Sequence, residues 1–188
     1  MSGPGLGHNG GPTMEPGEGW RRVAWTKARE ALLPTLPIEV VRLRVRRAQE
    51  LGLPYKTYAS VRASTGHDLI GFLFSSNALR LTRNGGLPAD RQARLVGLPA
   101  DRVAVVYRPF DPEDVARIDG LDAACPAPVL TQSWSDMRRQ IKDITRARGH
   151  LGDRYLLVAE TALEREWVTA GALAGCISGD AFFAPPSG

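Results

Sequence analysis

The spacing of apolar residues changes along the chain and separates a helical part from an α/β part. Apolar side chains recur every three or four positions from Ile38 to Ala48, which is the period of a helix with one apolar face. Further along, short apolar runs lack a polar face, as strands do when both sides of a parallel sheet are covered. These runs are LIGFLF at 69–74, VAVVY at 103–107 and YLLVA at 155–159. The pattern therefore predicts helices followed by a parallel sheet.

Similar turns precede two of these runs. GLPADR at 97–102 and GHLGDR at 149–154 each place glycine and an Asp-Arg step before an apolar run. A glycine that ends a helix and is followed by a buried strand is typical of helix-to-strand connections. The first run, LIGFLF, also fits a buried helix capped by Asp68, and that alternative stays open. We predict a small Rossmann-like parallel sheet of three or four strands, with at least three helices, in an α/β domain at 65–184.

Further elements are expected between the apolar runs. Prolines interrupt the middle of the chain and limit the helices there to short ones. We expect a short helix at 111–121, a loop at 122–132 and a basic helix at 136–148 that starts from Ser133 or Ser135. The tryptophans that fall in predicted helices, Trp134 and Trp167 among them, are expected to fill a core or an interface.

The segment before the sheet is predicted to begin with a tail and to continue as a helical hairpin. Residues 1–19 contain seven glycines and three prolines and too little apolar surface to bury, so we predict a disordered tail. A first helix is expected at Trp20–Leu33. A second helix is expected from Pro37 to Leu51, with Thr35 as its cap and Gly52 at its end. These two helices and a further short helix after Gly52 are expected to form a basic helical hairpin at 20–64.

Positive charge is concentrated in this hairpin. The whole chain has a formal net charge of +4, but residues 20–62 contain ten Lys and Arg against three Glu. The tail and the remaining residues are both slightly acidic. A charge asymmetry of this kind favours an anionic partner, and nucleic acid is the partner that a basic helical segment predicts.

The hairpin also has the spacing of a helix-turn-helix motif. A small residue at Ala48 and a turn glycine at Gly52 stand where that motif requires them, whereas Arg47 stands where an apolar residue is usual. The apolar places of the motif are Leu51, Leu53, Tyr58 and Val61. A purely structural helical hairpin with a glycine turn produces the same spacing, and both interpretations stay open. The residues expected to contact nucleic acid are Arg42, Arg44, Arg46, Lys56, Ser60 and Arg62.

The distal half of the chain resembles the haloacid dehalogenase superfamily. Residues 153–179 are similar to its last sequence motif, with an apolar strand, two acids and a helix that ends in Ala-Gly before another strand. On this resemblance, Glu160 stands where the family has a magnesium-associated Asp, and Glu164 stands where it has a second acid. LIGFLF with Ser75, Ser76 and Asn77 is similar to the second motif, whose hydroxyl binds the transferring phosphoryl group.

The family's nucleophile is missing from this sequence. The superfamily attacks phosphate with the first Asp of an Asp-x-Asp step, and no such step occurs in the chain. Lys142 falls within a predicted helix and does not match the third motif. We therefore predict no catalytic residue. The strand-end residues are expected to form a ligand site instead, and they are Ser75, Ser76, Asn77, Glu160 and Glu164.

Other chemistry is poorly represented in the sequence. The three histidines are far apart, the two cysteines are expected to be buried thiols, and no glycine-rich phosphate loop occurs, so we predict no metal and no cofactor. The absence of long apolar runs predicts a cytoplasmic protein with no membrane partner. We expect a non-enzymatic binding or regulatory protein that associates with nucleic acid or with a protein partner. The alternatives are a divergent phosphohydrolase or phosphotransferase and a structural protein-interaction module.

Overall fold

The structure is a computed structural model that describes residues 36–129 and 131–184. The predicted tail at 1–19 and the predicted helix at Trp20–Leu33 lie outside the described residues. The second predicted helix lies within them and begins at Ile38, where the carbonyl of Pro37 accepts hydrogen bonds from the amides of the first turn.

In the described residues, two helices precede five strands that alternate with helices. In chain order the elements are α1 (Ile38–Glu50), α2 (Tyr55–Thr65), β1 (Gly71–Ser75), α3 (Ser76–Leu79), α4 (Ala89–Val96), β2 (Asp101–Val106), α5 (Pro112–Ala116), β3 (Ala123–Pro126), α6 (Trp134–Ala147), β4 (Tyr155–Ala159), α7 (Ala162–Gly171), β5 (Gly175–Ser178) and α8 (Gly179–Phe183). A short 3-10 turn at Gly152–Arg154 leads into β4. In the part of the chain described here, no helix combines the length and the apolar composition needed to cross a membrane.

The five strands form one parallel sheet in the order β3-β2-β1-β4-β5. Phe74 of β1 lies between Ala104 of β2 and Val158 of β4, which places β1 at the centre. This arrangement confirms the predicted Rossmann-like α/β fold and shows that the LIGFLF run is a strand from Gly71 onward and not a helix. The sheet has five strands, where three or four were expected.

Two expectations between the strands were wrong. The predicted loop at 122–132 contains β3, whose four residues AACP form an edge strand that pairs only with β2. The predicted helix at 111–121 covers only Pro112–Ala116. The basic helix agrees well with its prediction, because the hydroxyl of Ser133 caps α6 by accepting a hydrogen bond from the amide of Asp136 at 3.2 Å.

Side chains from the strands enter two apolar cores, one on each face of the sheet. Phe72 and Phe74 point to one face and Leu73 to the other, because successive strand residues alternate. The first core is closed by α2, α4, α8 and the end of α1. The second is closed by α6 and α7. The helices contribute Ala48, Tyr58, Val61, Leu95 and Phe182 to the first core and Ile141, Ile144 and Trp167 to the second.

The turn between α1 and α2 is built into the first core. Leu51 and Leu53 are buried on either side of Gly52, whose φ of +64° is the left-handed conformation that favours glycine. The apolar positions of the helix-turn-helix spacing are therefore core positions beside the sheet.

Arg47, the departure from the motif, has a structural partner on the approach to β1. Its guanidinium donates to the Asp68 carboxylate and to the carbonyl of Leu69, both at 3.3 Å. The hydroxyl of Tyr58 donates to the same carboxylate at 2.6 Å. Arg47 thus ties α1 to the entry of β1, which explains a cation at a place where an apolar residue is usual.

Candidate functional site

The candidate site lies where the strands end, at the carboxyl edge of the sheet. The strand order reverses between β1 and β4, since the chain continues from β1 to β2 on one side and returns to β4 on the other. Open α/β sheets bind ligands in the crevice above such a reversal. Of the predicted residues, Ser75 ends β1, Ser76 and Asn77 follow it, and Glu160 follows the neighbouring strand β4, so the structure places these strand ends next to each other.

The two serine hydroxyls are used to build the loop after β1. Ser75 and Ser76 are both buried. The Ser75 hydroxyl accepts a hydrogen bond from the amide of Ala78 at 3.0 Å and so caps α3. The Ser76 hydroxyl accepts one from the amide of Tyr107 at 3.3 Å, which links the loops after β1 and β2. Both side chains therefore fix the shape of the edge from inside the protein.

Glu164 is the buried centre of a hydrogen-bond network at the start of α7. One carboxylate oxygen accepts from the amides of Glu160 and Thr161 at 2.8 and 2.9 Å, and the other accepts from the Asn77 side-chain amide at 2.8 Å. The Thr161 hydroxyl in turn accepts from the Glu164 amide, which completes a capping box. The carboxylate thus holds α7 against the loop after β1.

Glu160 has a different environment from Glu164. It is exposed, and its carboxylate lies against the backbone of Gly179, where an added Cβ would come within 2.8 Å of it. Among the described residues, no group of three or more His, Cys, Asp or Glu side chains is arranged to hold a metal ion.

A groove of 1320 Å³ opens at this edge, and most of the residues that line it were not among the site residues predicted from the sequence. The loop after β2, at 107–112, and residues 126–129 and 131–132 after β3 form two sides, and Asn77, Thr161 and Leu163 contribute from the segments after β1 and β4. A smaller cavity of 260 Å³ adjoins it and shares Tyr107, Val129, Gln132 and Leu163 with it.

Large apolar side chains are exposed around these two cavities. Val129 is 58% exposed, Leu163 is 51% exposed and Trp134 is 47% exposed. An exposed apolar cluster in a concave place is costly to leave in water and marks binding sites on protein surfaces. Exposed apolar residues occur elsewhere too, such as Ile38 and Leu43 on α1, but these three line concave places at the carboxyl edge of the sheet.

Two glutamines fix the loop after β3. The Gln132 side chain accepts from the Val129 amide at 3.2 Å and donates to Gln140 at 2.9 Å. Gln140 then donates to the carbonyl of Pro126 at 2.8 Å. This chain of bonds shapes one groove wall before any ligand binds.

Tyr107 stands between the two cavities. Burial, together with the charge of the nearby Glu164 carboxylate, raises the pKa of Tyr107 to about 12. The side chain is consequently a neutral phenol that is able to donate a hydrogen bond. Its ring centroid lies 5.9 Å from that of Trp167.

The residues predicted to contact nucleic acid lie outside this groove, on α1 and α2. Arg42, Arg46, Lys56 and Ser60 are exposed, whereas Arg44 and Arg62 are half-buried. Arg47 pairs with Glu50 and Asp68. Within the described ranges, no carboxylate lies within 4.0 Å of the charged groups of Arg44, Arg46, Lys56 and Arg62.

Comparisons of the chain with protein-family models, with curated proteins and with solved structures found no match.

Proposed function

We propose that this chain is a non-enzymatic binding protein that holds a small molecule in the groove at the carboxyl edge of its sheet. The observation that carries the proposal is the exposed apolar cluster formed by Val129, Trp134 and Leu163. Its position at the reversal of strand order adds support, because that is where open α/β sheets bind ligands.

The polar groups at this edge support binding without catalysis. The hydroxyls of Ser75 and Ser76 and the carboxylate of Glu164 are engaged in hydrogen bonds that hold the loops. Among the described residues that line the groove there is no Ser, Cys, His or Lys, and the Thr161 hydroxyl is engaged as the cap of α7. The Asp111 carboxylate caps α5 by accepting from the Glu113 amide at 2.9 Å.

An uncharged fluorophore tests the groove. Phenylnaphthylamine, whose emission rises in apolar surroundings, is expected to bind the wild-type protein. A carboxylate at position 163 opposes an apolar ligand, so Leu163→Asp is expected to weaken binding by about tenfold or more. Leu151→Asp is the matched control, because Leu151 is 64% exposed and does not line the groove.

Three results would contradict the proposal. The first is a wild-type protein that leaves the emission unchanged. The second is an equal loss of binding in Leu163→Asp and Leu151→Asp, which would indicate adsorption to any exposed apolar residue. The third is a dimer, measured by sedimentation, that dissociates in Leu163→Asp but not in Leu151→Asp, because a second copy of the chain would then cover the groove.

A second candidate function is contact with nucleic acid through the basic hairpin. The exposed cations Arg46 and Lys56, which have no carboxylate within 4.0 Å among the described residues, favour it. The structural interpretation of the hairpin is supported by the buried Ala48, Tyr58 and Val61. The two are compatible, because Arg46 and Lys56 lie two positions before the buried Ala48 and Tyr58 and therefore on the opposite face of each helix.

Binding through the hairpin should be electrostatic and therefore sensitive to salt. Each contact with a duplex phosphate contributes about 0.9 to the slope of log affinity against log salt concentration. The double variant Arg46→Glu/Lys56→Glu is expected to have a lower affinity for duplex DNA. Its salt dependence should be shallower by about the contribution of two phosphate contacts, measured by fluorescence anisotropy. Arg83→Glu/Arg117→Glu changes the same number of charges at exposed positions outside the hairpin. Equal losses in both double variants would remove the hairpin as the contact surface.

A further inference from the structure

We propose that the smaller cavity binds an alkylammonium group, so that the ligand of this protein is an apolar molecule with a cationic head. The inference rests on the proposed function, because the cavity adjoins the groove and shares Tyr107, Val129 and Leu163 with it. The apolar part of the ligand would lie in the groove and the cationic head in the cavity.

Three aromatic side chains line this cavity, which has a volume of 260 Å³. Trp167 is 2% exposed and is fixed in the core, and Tyr107 packs against it with an interplanar angle of 44°. Trp134 comes from the first turn of α6 and is 47% exposed, so a ligand reaches it from solvent. Aromatic ring faces attract cations, and recognition of quaternary ammonium groups by several aromatic residues is the principal functional use of that attraction.

The charge at the cavity has the sign that a cation requires. Glu166 is the charged side chain that lines it, and no Lys or Arg from the described residues does so. The buried Glu164 carboxylate adds negative potential near Tyr107 and, after burial of the ring itself, is the second cause that raises the pKa of that phenol. A negative potential of this kind favours an ammonium ion at the same place.

The hydrogen-bonding groups of the cavity favour a methylated head over a primary ammonium. A primary ammonium carries three N–H donors that all need acceptors when water is removed. The Gln132 side-chain oxygen already accepts from the Val129 amide, and apart from Glu166 the walls are mostly aromatic and apolar, with Met137 and Leu163 among them. A quaternary nitrogen, with four alkyl groups, offers methyl groups to these walls and has no N–H donor to leave unsatisfied.

A pair of probes with the same shape and different charge tests the inference. Choline has a quaternary nitrogen, and in dimethylbutanol a carbon atom replaces that nitrogen. Choline is expected to shift the NMR signals of the Trp134 and Trp167 indole N–H groups and to bind at least about fivefold more tightly than dimethylbutanol. The Trp134 signal is assigned by its loss in Trp134→Phe, which retains an aromatic face and should retain part of the binding.

Variants separate the charge contribution from the aromatic one. Glu166→Gln should bring the affinities of the two probes close together, whereas Glu160→Gln, an exposed acid at the same edge that does not line the cavity, should leave their ratio unchanged. Trp134→Leu should abolish the preference for choline.

The outcomes distinguish this inference from the proposed function. Equal affinity for choline and dimethylbutanol, or choline binding that Trp134→Leu leaves intact, would overturn the alkylammonium head. Binding of phenylnaphthylamine at the groove would still support the proposed function in that case. If phenylnaphthylamine, choline and dimethylbutanol all fail to bind, both the proposed function and this inference are wrong.

Discussion

Replacing Glu164 by leucine is expected to lower the free energy of unfolding by about 3–5 kcal/mol, because three hydrogen-bond donors would lose their common acceptor. The Glu164 side chain is fully buried, and it accepts from the amides of Glu160 and Thr161 and from the side chain of Asn77. Leucine fills a similar volume but offers no acceptor. Chemical denaturation of the wild-type and variant proteins measures the difference.

Glu160→Gln is the control for this prediction, since Glu160 is an exposed acid in the same loop. It is expected to change the free energy of unfolding by less than about 0.5 kcal/mol. The loss of unfolding free energy in Glu164→Gln should lie between the losses in Glu164→Leu and Glu160→Gln. One side-chain oxygen can still accept a hydrogen bond, while the other is replaced by a donor. A loss below about 1 kcal/mol in Glu164→Leu would show that the network contributes little to stability.

The position of Glu164 was predictable from sequence, but its role was not. An acid three residues after Thr161 is the sequence pattern of a capping box, and the resemblance to the haloacid dehalogenase superfamily predicts a second acid of its last motif at the same position. The sequence does not distinguish the two, because the difference lies in what surrounds the carboxylate. The side chain of Asn77, 87 positions away, is one of its partners.

The central strands were predictable because they are buried on both faces. Phe72, Leu73 and Phe74 are all fully buried, so the sequence of β1 shows an uninterrupted apolar run. The edge strand β3 has only four residues, most of them small and half-buried. Such a strand contributes no apolar run, and the prolines around it favour a loop in any local pattern. The other edge strand, β5, is also only four residues long and half-buried, so it too contributes no apolar run to the sequence.

The groove could not be assembled from sequence, because the strand order determines which loops are neighbours. Residues 107–112 and residues 126–129 follow different strands, and nothing local in either segment indicates that they meet. Trp134 and Trp167 both fall in predicted helices, where a core or interface role was expected. That role holds for Trp167, which is 2% exposed, whereas Trp134 is 47% exposed and lines the smaller cavity.

The C-terminal helix α8 provides a second large effect on stability. Phe182→Ala is expected to lower the free energy of unfolding by about 3–5 kcal/mol, which is the usual cost of removing a buried phenylalanine. Phe182 is fully buried, and its ring centroid lies 5.1 Å from that of Phe72 and 5.3 Å from that of Phe74. The residue thus supplies part of the cover over the central strand.

Arg94 connects α8 to the turn between α1 and α2, so the effect of Phe182→Ala should reach that turn as well. Its guanidinium lies over the Phe182 ring, 5.6 Å from the centroid, and donates to the carbonyls of Phe182 and Gly52 at 3.3 and 2.9 Å. Gly52 is the turn between α1 and α2, so one arginine joins that turn to α8. Loss of the ring should therefore increase amide hydrogen exchange both in α8 and around residues 51–53, although these segments are far apart in sequence.

Leu151→Ala is the control for Phe182→Ala, because Leu151 is an exposed apolar residue. Its truncation is expected to lower the free energy of unfolding by less than about 1 kcal/mol. Phe182 does not line the groove, so the folded fraction of Phe182→Ala should still bind phenylnaphthylamine. Faster exchange in α8 alone would mean that Arg94 does not couple the two segments. A Phe182→Ala protein as stable as wild type would mean that α8 is not part of the core, and the sheet face would then depend on α2 and α4 for its cover.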